Sequence, residues 1–91
     1  MSHYVAAYDI SDSRHRERVA RILTRYGQRV QRSVFQVWVE PDELPQLRRE
    51  VGAYLACDDA FDLFPLDCRD PARRIRWQHD PLGKDAVVLL D

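Results

Sequence analysis

Residues 3–27 read HYVAAYDISDSRHRERVARILTRYG, and this stretch decides the fold. His3 to Ile10 is a short apolar run of β-favouring residues, which predicts a buried strand. Ser11, Asp12 and Ser13 then supply N-cap chemistry for a helix from about Ser13 to Tyr26, closed by Gly27 at the C′ position. Val19, Ile22, Leu23 and Tyr26 recur at i, i+3, i+4 and i+7, so they form the face that packs on a sheet.

Beyond Gly27 the periodicity returns to that of strands. Arg29 to Glu40 is strand-like but changes phase: Val30, Val34 and Trp38 share one parity, and Phe35, Val37 and Val39 the other. A bulge, or a tight hairpin near residues 33–36, accounts for the switch, so the segment is one bent strand or two short ones. Pro41-Asp42 opens a second helix, with Pro45 tolerated in its first turn and an apolar stripe of Leu44, Leu47, Val51, Tyr54 and Leu55. Ala60 to Leu66 is a further strand; Arg74 to His79 and Ala86 to Leu90 are two short candidates. The order β-α-β(β)-α-β with a C-terminal β extension predicts an α+β, ferredoxin-like sandwich. It forms one domain over residues 1–91, with a core of about 3–67 and an extension of about 68–91. The apolar tail has no helix to cover it and suits pairing with an edge strand, of its own sheet or a partner's.

A chain of 91 residues has room for one domain, and 45% apolar with 32% charged residues excludes a disordered or fibrous class. No segment approaches the ~18 apolar residues of a membrane span, and the basic and apolar regions of a signal peptide are missing. The expectation is a cytoplasmic protein without a membrane partner. The formal charge of −1 argues against nucleic acid only until it is placed along the chain. Residues 1–35 hold seven Arg against three acids (+4), 36–68 two Arg against eight (−6), and 69–91 five bases against four acids (+1). A basic first third beside an acidic middle points to an anionic ligand. Cys57 and Cys68 form no C-x-x-C, and His3, His15 and His79 are scattered, so neither a disulfide nor a zinc site is expected.

Asp9 is the most informative residue. A carboxylate ending an apolar strand is expensive without a partner, and Asp12 and Ser13 are better placed to cap the helix. It reads as a hard-metal ligand, or else as an auxiliary cap. One carboxylate is too few for a Mg²⁺ site, but an isologous dimer would bring a second Asp9. Arg14, His15 and Arg16 crowd the first helical turn, where the dipole favours anions, so a bound phosphate is expected nearby. Arg14, Arg18, Arg21 and Arg25 form one stripe about 16 Å long, either a phosphate track or a solvated face. Arg29 and Arg32 extend the basic segment towards Phe35. Asp58, Asp59 and Asp62 read as a solvated turn.

Tyr8-Asp9-Ile10, Arg16-x-Arg18-Val19 and Tyr26-Gly27-x-Arg29-Val30-Gln31-x-Ser33-Val34-Phe35, continuing to Phe64-Pro65-Leu66, resemble the CRISPR-associated protein 2 family. The resemblance implies a symmetric homodimer with C-terminal strands laid on the partner's sheet. It also implies a Mg²⁺- (or Mn²⁺-) dependent endonuclease acting on single-stranded RNA or double-stranded DNA, with Asp9 of both protomers holding the metal. By the same match Tyr8, Arg16, Arg18, Arg29 and Phe35 support catalysis or substrate binding. A role in spacer acquisition is implied too, the dimer bridging two dimers of the integrase (the CRISPR-associated protein 1 family) against DNA. Arg32 departs from the aromatic or aliphatic residue common at this place in the family. A non-catalytic DNA-binding scaffold, a toxin-like ribonuclease of the virulence-associated protein D type and a small-molecule regulatory domain are the competing readings.

Overall fold

In the computed structural model the described residues are 2–66 and 73–78, with the backbone of 87–89. Strand β1 (Ser2–Asp9) leads into helix α1 (Ser13–Thr24), followed by β2 (Gly27–Gln31) and β3 (Val34–Val39). A 3-10 turn at Pro41–Glu43 opens helix α2 (Leu44–Gly52), and β4 (Ala60–Pro65), β5 (Ile75–Gln78) and β6 (Val87–Leu89) complete the order. The six strands form one antiparallel sheet in the order β2-β3-β1-β4-β5-β6. The first four strands give the ferredoxin-like arrangement read from the sequence, with β1 at the centre and the extension continuing outward from β4.

Strand parity decides what is covered. Tyr4, Ala6 and Tyr8 of β1 pair in register with Val37, Phe35, Leu63 and Phe61, and with Val19, Leu23, Leu47 and Val51 of the helices they make one core. Burying each of the larger of these side chains stabilises by about 1.5–3 kcal/mol. The alternate residues His3, Val5, Ala7 and Asp9 face the other way, in register with Trp38, Gln36, Val34 and Ala60. Among the described residues no helix covers this second face, although Val5, Ala7, Val34 and Phe64 on it are apolar. Asp9 belongs to this uncovered face.

The structure decides between some local alternatives and corrects the expected end of the first helix. The phase change in residues 29–40 is a hairpin with a two-residue turn, Arg32-Ser33, and a register shift between Arg29 and Gln31 adds a bulge as well. The helix stops at Thr24, and Gly27 does not close it. Gly27 starts β2 instead, where a Cβ would fall on the Gln36 carbonyl oxygen and within 2.7 Å of Val37 Cα, so only glycine lets the strands approach. Cys57 is exposed and free; Cys68 lies outside the described residues. Within this chain β5 pairs with β4 and β6 with β5.

Candidate functional site

The corner between β1 and α1 gathers several of the residues that the sequence singles out. Asp9 ends the strand exposed to solvent, while the next residue, Ile10, is buried in the core. Asp12 is the N-cap: extended at φ −80° and ψ 123°, its carboxylate accepts from the His15 amide at 3.0 Å. That backbone hydrogen bond, with smaller help from the His15 and Arg14 charges, holds the Asp12 carboxyl below its ordinary range despite a small opposing desolvation. A depressed carboxyl stabilises above its unfolded pKa of roughly 4, and this is lost as pH falls through the lower folded value. We expect the His15 amide to lose its exchange protection as pH falls below about 4, and an Asp12→Ala variant to lack it at every pH. Equal protection in wild type and variant, followed by NMR, would refute the cap.

Arg16 Nη1 donates to the carbonyls of Ile10 (2.9 Å) and Ser11 (3.0 Å). Of the three first-turn bases, this one has part of its guanidinium engaged by the corner itself. The basic first turn thus also braces the backbone of the corner.

Beyond the corner opens a cleft of about 520 Å³ lined by Tyr8, Asp9, Ser13, Arg16, Arg29 and Arg32, with Glu17, Ile10 and Ser33 at its margins. Three arginines face two carboxylates there. Arg29 lies over the Phe35 ring, 5.1 Å from its centroid, and Phe35 is 2% exposed. Tyr8 is also buried and lies between Phe35 and Phe61, with ring centroids 6.4 and 6.2 Å away. The Tyr8 amide donates to the Ser33 carbonyl at 3.1 Å, tying the hairpin turn to β1. Phe35 therefore acts as a platform for Arg29 and not as a surface for bases, and most of Tyr8 belongs to the core.

Arg14, Arg18 and Arg21 are exposed along α1. Arg25, expected on the same stripe, is engaged: its Nη2 reaches both Glu50 carboxylate oxygens at 2.7 Å. The pairing holds the Glu50 carboxyl below its ordinary range, chiefly through the hydrogen bond from Arg25. The acidic middle of the chain thus occupies one arginine of the expected run. The acidic cluster also differs from the expected solvated turn. Asp62 holds Arg76 through Nε (2.7 Å) and Nη2 (2.9 Å), and Asp59 is 4% exposed. Nothing in the local sequence separates buried Asp59 from exposed Asp58.

Among the described residues no three His, Cys, Asp or Glu side chains gather as a metal cage. Asp9 nonetheless fits Mg²⁺ or Mn²⁺, because Mg²⁺ takes one or two carboxylates and completes its shell with phosphate and water oxygens. The fold and site together define a small ferredoxin-like α+β protein with a strand-end carboxylate set among arginines.

This chain belongs to the CRISPR associated protein Cas2 family, whose model matches residues 1–74. It is 41% identical over 75 residues to the CRISPR-associated endoribonuclease Cas2 4 of Rhodospirillum rubrum, covering 81% of this chain and 60% of that relative. The fold matches Streptococcus pyogenes Cas2 with a TM-score of 0.63 at 25% identity, over 68% of this chain and 82% of that one. A chain of a partial Cas6-RT-Cas1–Cas2 complex matches with a TM-score of 0.63 at 27% identity, over 99% of this chain and all of that one.

Proposed function

We propose that this protein acts in CRISPR spacer acquisition as a homodimer. In that dimer Asp9 of both protomers holds Mg²⁺ or Mn²⁺ for phosphodiester cleavage of RNA or DNA, and the dimer bridges integrase dimers. The observation that carries the reading is Asp9 on the uncovered sheet face, beside an arginine-lined cleft. An apolar face without a helix suits an isologous partner, and a residue of that face lying at the two-fold axis would meet its own copy. The relatives support the rest: one is named an endoribonuclease, and a similar chain occurs in a complex named for Cas1 and Cas2.

When bound, a divalent ion supplies positive charge at the scissile phosphate and acidifies a coordinated water. This chain's own residues do the positioning. Arg29, held on the Phe35 ring, and Arg32, on the hairpin turn, offset charge on the phosphoryl oxygens. Arg16 keeps the corner that carries Asp9 in shape. Arg14, Arg18 and Arg21 take backbone phosphates along α1, with Arg25 contributing less because Glu50 occupies it.

A scaffold without catalysis is the second reading, favoured by Asp9 being the one strand-end carboxylate at the site and by a cleft whose lining includes no His to serve as general base. Family membership favours both over the toxin-like ribonuclease. The test is Asp9→Ala assayed for metal-dependent cleavage and for spacer acquisition. Loss of both supports the nuclease, and loss of cleavage alone supports the scaffold.

The arginine track has its own test. Single Arg14→Ala, Arg18→Ala and Arg21→Ala substitutions should each lower the slope of log affinity against log salt for duplex DNA by about 0.9. Arg25→Ala should lower it by less. Fluorescence anisotropy between low and physiological salt measures the slopes, and a slope unchanged in all four variants would exclude α1 from the interface.

A further inference from the structure

We infer that Asp59 is a positioning residue for Asp9, acting through Ser11. The inference rests on the reading of Asp9 as the metal-holding carboxylate and adds a residue to that site. Asp59 and Arg48 are the two buried charged side chains among the described residues. A buried carboxylate persists only where its oxygens are used. Asp59 Oδ2 accepts from the Ala56 amide at 2.8 Å, fastening the side chain to its own turn. Its Oδ1 reaches 48 positions back along the chain to accept from the Ser11 amide at 3.2 Å and, more weakly, the Ser11 hydroxyl at 3.4 Å.

The placement ties this clasp to Asp9. Asp59 immediately precedes Ala60, which is the ladder partner of Asp9. Ser11 follows Asp9 by two residues, and its carbonyl is held by Arg16 Nη1 while its amide and hydroxyl are held by Asp59. The backbone just after Asp9 is thus gripped from both sides: by a cation on the helix and by an anion on the turn before β4. An exposed carboxylate has no packing of its own to aim it, so the direction of its backbone sets where its oxygens point. A misplacement of about 1 Å at a reacting centre costs on the order of 10²-fold in rate. Groups that orient a metal-binding side chain are worth about 10–100-fold in metal affinity or activity.

The test uses the full chain as wild type, Asp59→Ala, Asp59→Asn, Ser11→Ala and Asp9→Ala. Val51→Ala serves as a core truncation that lowers stability without touching the corner. Three quantities are read: exchange of the Ser11 amide, Mn²⁺ affinity by paramagnetic relaxation, and the split between kcat and KM in cleavage. Asp59→Ala is expected to speed Ser11 exchange by roughly 10-fold. It should weaken Mn²⁺ binding and lower kcat by roughly 10-fold each, with KM changed less than about 2-fold. Asp59→Asn keeps an acceptor for Ser11 and should recover part of each loss. Ser11→Ala removes only the weak hydroxyl contact and should cost about 3-fold or less. Val51→Ala should lower Tm while leaving all three readouts as in wild type. Should Asp59→Ala not fold, Asp59→Asn and Ser11→Ala carry the comparison. Faster Ser11 exchange in Asp59→Ala with unchanged Mn²⁺ affinity and kcat, while Asp9→Ala is inactive, overturns positioning and leaves the nuclease reading standing. Weakened Mn²⁺ binding with unchanged Ser11 exchange overturns the route through Ser11. Cleavage by Asp9→Ala at the wild-type rate overturns the nuclease reading, and the role of Asp59 with it.

Discussion

Asp9→Ala is expected to lower metal-dependent phosphodiester cleavage by about 10²-fold or more while leaving the fold intact. The magnitude follows from what the side chain supplies. On the proposed reading it is the carboxylate that each chain offers to the ion, and losing one electrostatic contact that matters in the transition state costs about 10²–10³ in rate. A factor of 10² corresponds to about 2.7 kcal/mol of barrier. Stability is spared because Asp9 is exposed at the end of its strand, and the substitution leaves its backbone pairing with Ala60 in place. Asp9→Asn should behave alike, since it keeps the shape and removes the charge. Far-ultraviolet circular dichroism and a urea midpoint verify the fold, and single-turnover cleavage in Mn²⁺ reads the effect. Cleavage equal to wild type in a purified variant would show that the activity belongs to a contaminant.

The second large effect concerns stability. Trp77→Ala is expected to destabilise by about 3 kcal/mol, a large share of the roughly 5–15 kcal/mol that holds a domain together. Trp77 is 1% exposed and stacks on Phe61 with ring centroids 5.2 Å apart, in register across β4 and β5. Removing it opens a cavity beneath α2, whose Arg48 also reaches β5 by donating from Nη2 to the Gln78 carbonyl at 3.2 Å. The indole nitrogen finds no acceptor among the described residues, which places the loss at the lower end of the range for a tryptophan truncation. Urea denaturation measures the change. A loss under about 1 kcal/mol would mean that β5 does not pack on this core.

Much of the fold was legible from periodicity. The i, i+3, i+4, i+7 pattern of Val19, Ile22, Leu23 and Tyr26 and the alternation in HYVAAYD identified α1 and β1, because each pattern reports which face of one element is apolar. The phase change after Gly27 marked an irregularity but left its form open, since a bulge and a hairpin both shift parity by one. The role of Gly27 was misread for a related reason. A glycine after a helix suggests a helix end, whereas its close approach to the Gln36 carbonyl depends on a strand ten residues away.

At the site the same division holds. By itself the sequence determined that a carboxylate ends the first strand, that arginines follow on the first helix, and that the apolar faces demand a ferredoxin-like sheet. These are local matters of residue type and spacing. The tertiary structure alone decided which of those groups are free to act. Glu50 engages Arg25 from 25 positions away, Phe35 seats Arg29, and Asp59 reaches Ser11 across 48 positions. A charge's availability depends on what packs beside it. That is set by long-range strand and helix pairing, which leaves no mark in the residues immediately around it.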